Sequence, residues 1–345
     1  MRATTRILLS ASFVLCLLAA ACGEKKAEEP QKADETAAQK DAVAVPAVKA
    51  PEPPTELTPA EKCAVFEPPW KGGSWVEWGQ KNPEAGEEWY DTIEEKMKKA
   101  DLSVLPECKD LEYVFVGFSA LADLTPLAGL TKIKRLDLRM MPQIKDLAPL
   151  KALTSLEYLN ISGTGVEDFS PLADVPSLVE LEARMLTAKD VTPLGKMPNL
   201  VSVDFLKCPV SDVAPLAEAP KLEKALLCNT DVVDITPLAK IADRLKALDV
   251  CDSQFRDFKK LKAFKNLTFL RLWGLPIEDL SVLSGMTEME DLDLSKTPVK
   301  DLTPLHGMKK LKFLRLLMVE IDPAQIEAMK KAVPGVEISQ KVTAN

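Results

Sequence analysis

An α/β repeat solenoid is the fold this sequence predicts, on three observations. A pentapeptide of the form Asp-x-x-Pro-Leu starts at Asp123, Asp146, Asp168, Asp190, Asp212, Asp234 and Asp301, with degenerate copies at Asp257 and Asp279. Successive aspartates are separated by 23, 22, 22, 22, 22, 23, 22 and 22 residues, and so regular a period requires one supersecondary unit stacked on copies of itself. Hydrophobic residues make up 46% of the chain and charged residues 28%, enough apolar side chain to fill a long core. A length of 345 residues would suggest two domains, but an array that grows in one dimension escapes that estimate. The expected architecture is a parallel concave sheet backed by short helical or 3-10 segments, with a Trp-rich N-terminal cap and a helical C-terminal cap.

Residues 1–21 read as an export signal. Arg2 and Arg6 precede an apolar run from Ile7 to Ala21 that is short for a bilayer span. The run ends in Ala19-Ala20-Ala21-Cys22-Gly23, which resembles the lipobox of bacterial lipoproteins; Ala19 stands where leucine is more usual in that family. The resemblance implies acylation of Cys22 and anchoring to the bacterial cell envelope through its lipid. Gly23 is not the aspartate associated with inner-membrane retention, so the outer membrane is expected. A plain secretory signal cut near the same place is the alternative. The net charge of −8 falls to −10 without Arg2 and Arg6, because 42 basic residues then face 52 acidic ones. A nucleic acid is therefore not an expected partner.

Residues 22–59 are rich in Ala, Glu, Lys and Pro and carry no amphipathic period, the composition of a disordered tether. A flexible segment of that length spans roughly 30 to 36 Å. Residues 60–110 form the expected N-terminal cap and hold Trp70, Trp75, Trp78 and Trp89, four of the five tryptophans. Asn82-Pro83 reads as a helix start, followed by Trp89, Ile93 and Met97 on one face. Cys63 and Cys108 bracket the segment, and in an exported protein they are expected to form a disulfide. A Trp cluster binding sugar or lipid is the alternative to a cap.

Residues 111–320 hold about ten repeats, whose first apolar residues are Leu111, Ile133, Leu156, Leu178, Leu200, Leu222, Leu245, Leu267, Met289 and Leu311. In the repeat from Met289, alternation at Leu292 and Leu294 predicts a short strand with one buried face, Thr297 and Val299 turn the chain inward, and Asp301 opens the return segment. These residues resemble the 22-residue leucine-rich repeats of internalin-like bacterial proteins. The family's asparagine position is filled here by Ser119, Met141, Thr164, Leu186, Cys208, Thr230, Ser253, Leu275, Thr297 and Val319, so a side-chain hydrogen-bond ladder along that turn is interrupted. Residues 321–345 form the C-terminal cap and tail. Asp322 is the expected N-cap with Pro323 at the first helical position and Gln325 as capping-box partner. Ile326, Met329 and Val333 share a face, Pro334-Gly335 stops the helix, and Val336 to Ile338 supplies a strand.

The recurring aspartate invites a calcium or catalytic reading. Followed by an apolar residue, a small residue and proline, it is instead expected to cap a short helical turn. His306 is the only histidine and is expected on the outer surface; no nucleophile–base pair, histidine metal cluster or phosphate loop can be built around it. No enzymatic activity and no cofactor are expected. Cys228 and Cys251 each lie six residues after their repeat's first leucine, which places them side by side on neighbouring strands about 4.8 Å apart, within disulfide reach. Cys208 reads as a buried structural thiol.

Residues two, four and six positions after each first residue face outward from the sheet. They include Asp137, Glu180, Glu182, Asp204, Asp249, Asp291 and Asp293 against Arg135, Arg139, Arg184, Lys224, Arg271 and Arg315. Asp249, Arg271, Asp293 and Arg315 share one register and are expected to pair along it. Phe269, Trp273, Phe313 and Leu317 surround that ladder as an apolar patch with charged edges, the composition of an interface hot spot. Tyr113, Phe115 and Tyr158 form a second group near the N-terminal end. The expected function is non-catalytic recognition of a protein partner on the concave sheet by an exported, lipid-anchored protein. A glycan-binding module and a structural envelope component are the alternatives.

Overall fold

The computed structural model describes residues 58–67 and 86–340. The signal segment, Cys22, residues 23–57, Trp70, Trp75, Trp78, Asn82-Pro83 and residues 341–345 lie outside the described residues. The chain divides into two compact units, residues 1–58 with 70–90 and residues 59–69 with 91–345. Of the first unit, Thr58 and the backbone of residues 86–90 are described.

Eleven three-residue strands form one parallel sheet in sequence order: β1 Tyr113–Phe115, β2 Arg135–Asp137, β3 Tyr158–Asn160, β4 Glu180–Glu182, β5 Ser202–Asp204, β6 Lys224–Leu226, β7 Ala247–Asp249, β8 Phe269–Arg271, β9 Asp291–Asp293, β10 Phe313–Arg315 and β11 Glu337–Ser339. Neighbouring strands are in register at equivalent repeat positions, as Leu270 beside Leu292 shows. The reason is the period: coils of 22 or 23 residues return each strand residue beside its counterpart, so backbone N–H and C=O groups pair between coils, as Val116 N–H to the Asp137 carbonyl at 3.0 Å. The central residue of each strand, such as Leu136, Leu181 or Leu292, points into a core that also receives the first residue of each repeat.

The return segments are 3-10 turns, from Thr125–Leu127 to Thr303–Gly307. Proline at N1 or N2 loses no hydrogen bond there. Eight of the nine repeat aspartates accept the backbone N–H two residues on, at 2.7 to 2.8 Å, as in Asp190 with Thr192. Asp257 is the exception and makes no capping bond, in the one repeat that has Lys-Lys in place of a small residue and proline. Gly195, in one such turn, lies so close to the next coil that an added Cβ would stand 2.4 Å from the Pro215 carbonyl oxygen.

At each coil's exit from the sheet, seven residues after its first, one residue adopts positive φ. The row runs Phe118, Met140, Gly163, Met185, Lys207, Asn229, Asp252, Gly274, Lys296 and Met318. Only two are glycine, although an L side chain in this conformation costs about 1 kcal/mol or more. At the family's asparagine position, Thr164, Thr230, Ser253 and Thr297 donate their hydroxyls to the carbonyl three residues back, so local bonds replace the ladder. Cys208 bridges coils: its thiol donates to the Ala183 carbonyl and its sulfur accepts the Leu186 N–H.

Before β1, residues Pro59–Cys63, Ala64–Phe66, Gly86–Lys98 and Leu102–Glu107 are helical. Phe66, Ile93, Met97 and Leu105 are buried, and a disulfide joins Cys63 to Cys108 with their Cα atoms 5.5 Å apart. After β10, Asp322 caps the helix Pro323–Ala332 through the Ala324 N–H. Gln325 does not close the expected capping box; its Oε1 accepts the Leu302 N–H of the adjoining coil at 3.1 Å, which leaves its side chain committed to tertiary contact. The helix buries Ile326, Met329 and Val333, and β11 then adds to β10.

Candidate interaction surface

The face of the sheet turned away from the core carries three rows, at the second, fourth and sixth positions. In the fourth row, Asp137, Asn160, Asp204, Asp249 and Asp293 each accept the N–H two residues on, at 2.9 to 3.0 Å. These side chains therefore hold the chain where it leaves each strand, a role missed by counting them as surface charge. The signal was present, since five of ten repeats carry Asp or Asn there.

The same carboxylates neutralise arginines. Arg139 binds Asp137, and Arg184 reaches Asp204 at 2.8 Å. Arg271 lies 2.9 Å from Asp249 and 3.7 Å from Asp293. The expected register ladder stops there: Arg315 turns diagonally to Asp291, with its Nη2 3.0 Å from Oδ2, because Asp293 is already bound to the Ser295 N–H and shared with Arg271. Burial raises the Asp249 carboxyl to about 6 despite the Arg271 guanidinium. Burial also raises the Cys208 thiol, to about 11, which keeps it unreactive.

The two apolar groups differ. Near the N-terminal end, Phe115 and Tyr158 are buried, at 2% and 5% exposure, and do not form an exposed patch. Their rings lie beneath neighbouring guanidiniums: Arg135 stands 3.9 Å from the Tyr158 centroid and Arg139 stands 6.0 Å from that of Phe115. Tyr113 is half-buried. Near the other end, Phe269, Trp273, Phe313 and Leu317 are all half-buried on the face opposite the core. Trp273 packs on Leu206, Cys228 and Cys251, and Lys296 Nζ lies 4.6 Å from its ring. Cys228 and Cys251 are joined by a disulfide that crosses from β6's coil to β7's, with Cα atoms 4.5 Å apart. The sixth row is thus a continuous apolar strip, Leu206, Cys228, Cys251 and Trp273.

Sequence reasoning missed the positive-φ row. Met140 and Met318 in it are 44% and 61% exposed. His306, expected on the outer surface, is half-buried, and its Nε2 is screened from solvent without a partner among the described residues. No helix among the described residues is long and apolar enough to cross a membrane.

No protein-family model matches this chain, and no curated protein sequence does. Solved structures do. An internalin from Listeria monocytogenes is 24% identical over 71% of this chain and 71% of that one, with a TM-score of 0.59. A leucine-rich-repeat protein of Leptospira interrogans is 16% identical, covering 68% of this chain and 74% of the other, with a TM-score of 0.55. A plant peptide hormone receptor, solved with its peptide, covers 69% of this chain and 40% of its own at 14% identity and a TM-score of 0.51. Together with the eleven in-register parallel strands, these likenesses identify the fold: the chain is a leucine-rich-repeat solenoid, similar in fold to that of the internalin.

Proposed function

We propose that this protein recognises a protein partner, without catalysis, on the open face of its sheet, while a lipid on Cys22 holds it to the bacterial cell envelope. The observation that carries the reading is the placement of Phe269, Trp273, Phe313 and Leu317: large apolar side chains half-buried on the face that has no core to fill. Arg271, Asp293 and Arg315 stand between them as a largely neutralised frame that would orient a partner at little desolvation cost. Tyr113, which is half-buried, would extend the contact at the N-terminal end, whereas Phe115 and Tyr158 are covered by their arginines. That the plant receptor of the same fold was solved with a peptide supports the choice of a protein ligand over a glycan.

Alanine at Trp273 and Phe313 tests the reading. Hot-spot side chains contribute about 2 kcal/mol or more each, so crosslinked partner recovered from native envelopes falls at least tenfold. Unchanged recovery removes the patch. Retention of polysaccharide that depends on the same two side chains, with no protein crosslink, transfers the site to a glycan. The anchor is tested separately: Cys22→Ser shifts the protein from the membrane to the soluble fraction, and persistence in the membrane sinks the acylation.

A further inference from the structure

The apolar strip of the sixth row lies in a charge setting that the rest of the open face lacks. Four arginines of that face are engaged by carboxylates, Arg139 by Asp137, Arg184 by Asp204, Arg271 by Asp249 and Arg315 by Asp291, and Arg135 lies over the Tyr158 ring. Three lysines beside the strip lack a carboxylate partner among the described residues: Lys296 stands over the Trp273 ring, while Lys207 and Lys224 have neither a carboxylate nor a ring. Lys224 is exposed in the second row of β6, between Ser202 and Ala247. Lys207, in the positive-φ row on the coil of β5, has Met185 and Asn229 as its row neighbours, and the exposed Asp252 follows one coil beyond Asn229. Among the described residues no carboxylate lies within ion-pair distance of either lysine, and Glu180, the nearest acid in Lys224's row, is two strands or about 10 Å away.

The two lysines stand on opposite rims. Second row to positive-φ row is five residues along the strand direction, at most roughly 16 Å, and between them lie Leu226, Leu206 and the Cys228 end of the disulfide, with Trp273 two strands beyond β6. An apolar floor with an unpaired cation at each side is complementary to an apolar segment with an anion at each end. In an extended peptide, carboxylates four residues apart are separated by about 13 Å, and the lysine stems span the remainder.

We propose that the strip binds an extended peptide segment whose apolar centre is flanked by two carboxylates about four residues apart. The proposal rests on the reading of the open face as the binding surface, and deepens it by naming the chemistry of the partner.

Fluorescein-labelled, end-blocked Glu-Leu-Phe-Leu-Glu, Gln-Leu-Phe-Leu-Gln and Lys-Leu-Phe-Leu-Lys, titrated with the full chain by anisotropy, test it. The expected result is binding of the Glu peptide at least tenfold tighter than the Gln peptide, with the Lys peptide weakest. The double variant Lys207→Gln/Lys224→Gln should bring the first two together without changing the circular dichroism spectrum. Equal affinity for the Glu and Gln peptides in the parent protein overturns the carboxylate requirement while leaving the apolar site standing. Gln-peptide binding untouched by Leu226→Ser, at the half-buried side chain between the two lysines, counts instead against the binding face itself. Failure of all three peptides to bind overturns the peptide proposal, and the crosslinking of Trp273 and Phe313 variants then judges the parent reading independently.

Discussion

Replacing both Cys228 and Cys251 with alanine should lower stability by roughly 3 to 5 kcal/mol. The bond closes a loop of 23 residues, one coil of the solenoid. Removing the cross-link returns to the unfolded chain the entropy of closing that loop, worth roughly 3 kcal/mol at 25 °C when the disulfide acts through the unfolded state. Loss of two buried sulfurs, at 8% and 3% exposure, adds up to about 1 kcal/mol each. The native coils should not part, because β6 and β7 remain joined by their strand ladder. With a urea slope of about 3 kcal/mol/M, at the upper end for small proteins as suits a larger chain, the midpoint should fall by about 1 M or more. Cys63–Cys108 is left intact as an internal control. A shift below about 0.3 M would refute the reasoning, as would non-reduced peptide mass spectrometry showing both cysteines as free thiols in protein purified from the envelope.

Four further outcomes follow from the packing and burial of individual side chains. Gly195→Ala should destabilise by about 1 to 3 kcal/mol, because its Cβ would press on the backbone oxygen of Pro215, whereas Gly129→Ala, with nothing within 4 Å, should be neutral or slightly stabilising; equal urea midpoints would contradict this. Asp234→Ala should cost about 1 kcal/mol by removing a cap, and Asp257→Ala should cost nothing measurable, since Asp257 makes no capping bond. The capping aspartates also set an acid limit: bonds from Thr236 hold Asp234 below the usual carboxylate range, so its contribution is complete above the unfolded pKa and is lost as pH falls through the lower folded one. Asp249 works in the opposite sense. Its folded pKa of about 6 exceeds the unfolded value near 3.8, so the folded state binds the extra proton, and stability declines by up to about 3 kcal/mol as pH rises from about 4 to 6. Asp249→Asn should flatten that part of a melting-temperature profile against pH; an unchanged slope there would place the titration elsewhere.

The parts of the candidate site that were legible in the sequence are those fixed by repeat position alone. Equal spacing put Cys228 beside Cys251 and Asp249 beside Arg271, because in-register parallel strands turn sequence equivalence into adjacency. What failed depended on side-chain reach. Phe115 and Tyr158 face the right way, yet the long arginines of the β2 coil that lies between them cover them. Arg315 sits in the row of Asp293 but reaches Asp291, since the fourth-row carboxylate was already committed to its own backbone and to Arg271. Met140, Met185 and Met318 offered no local sign of positive φ, a conformation that their own propensity disfavours and the stacking of coils imposes.

By itself, then, the sequence determined the solenoid, its register, the capping role of the recurring aspartate, which holds at eight of nine positions, and the rows from which a binding face had to be drawn, because periodicity is a one-dimensional property that stacking copies directly into space. Only the tertiary structure decided which members of those rows remain available. Burial and ion pairing between neighbouring coils depend on how far each side chain extends across a 4.8 Å strand spacing, and no repeat pattern encodes that.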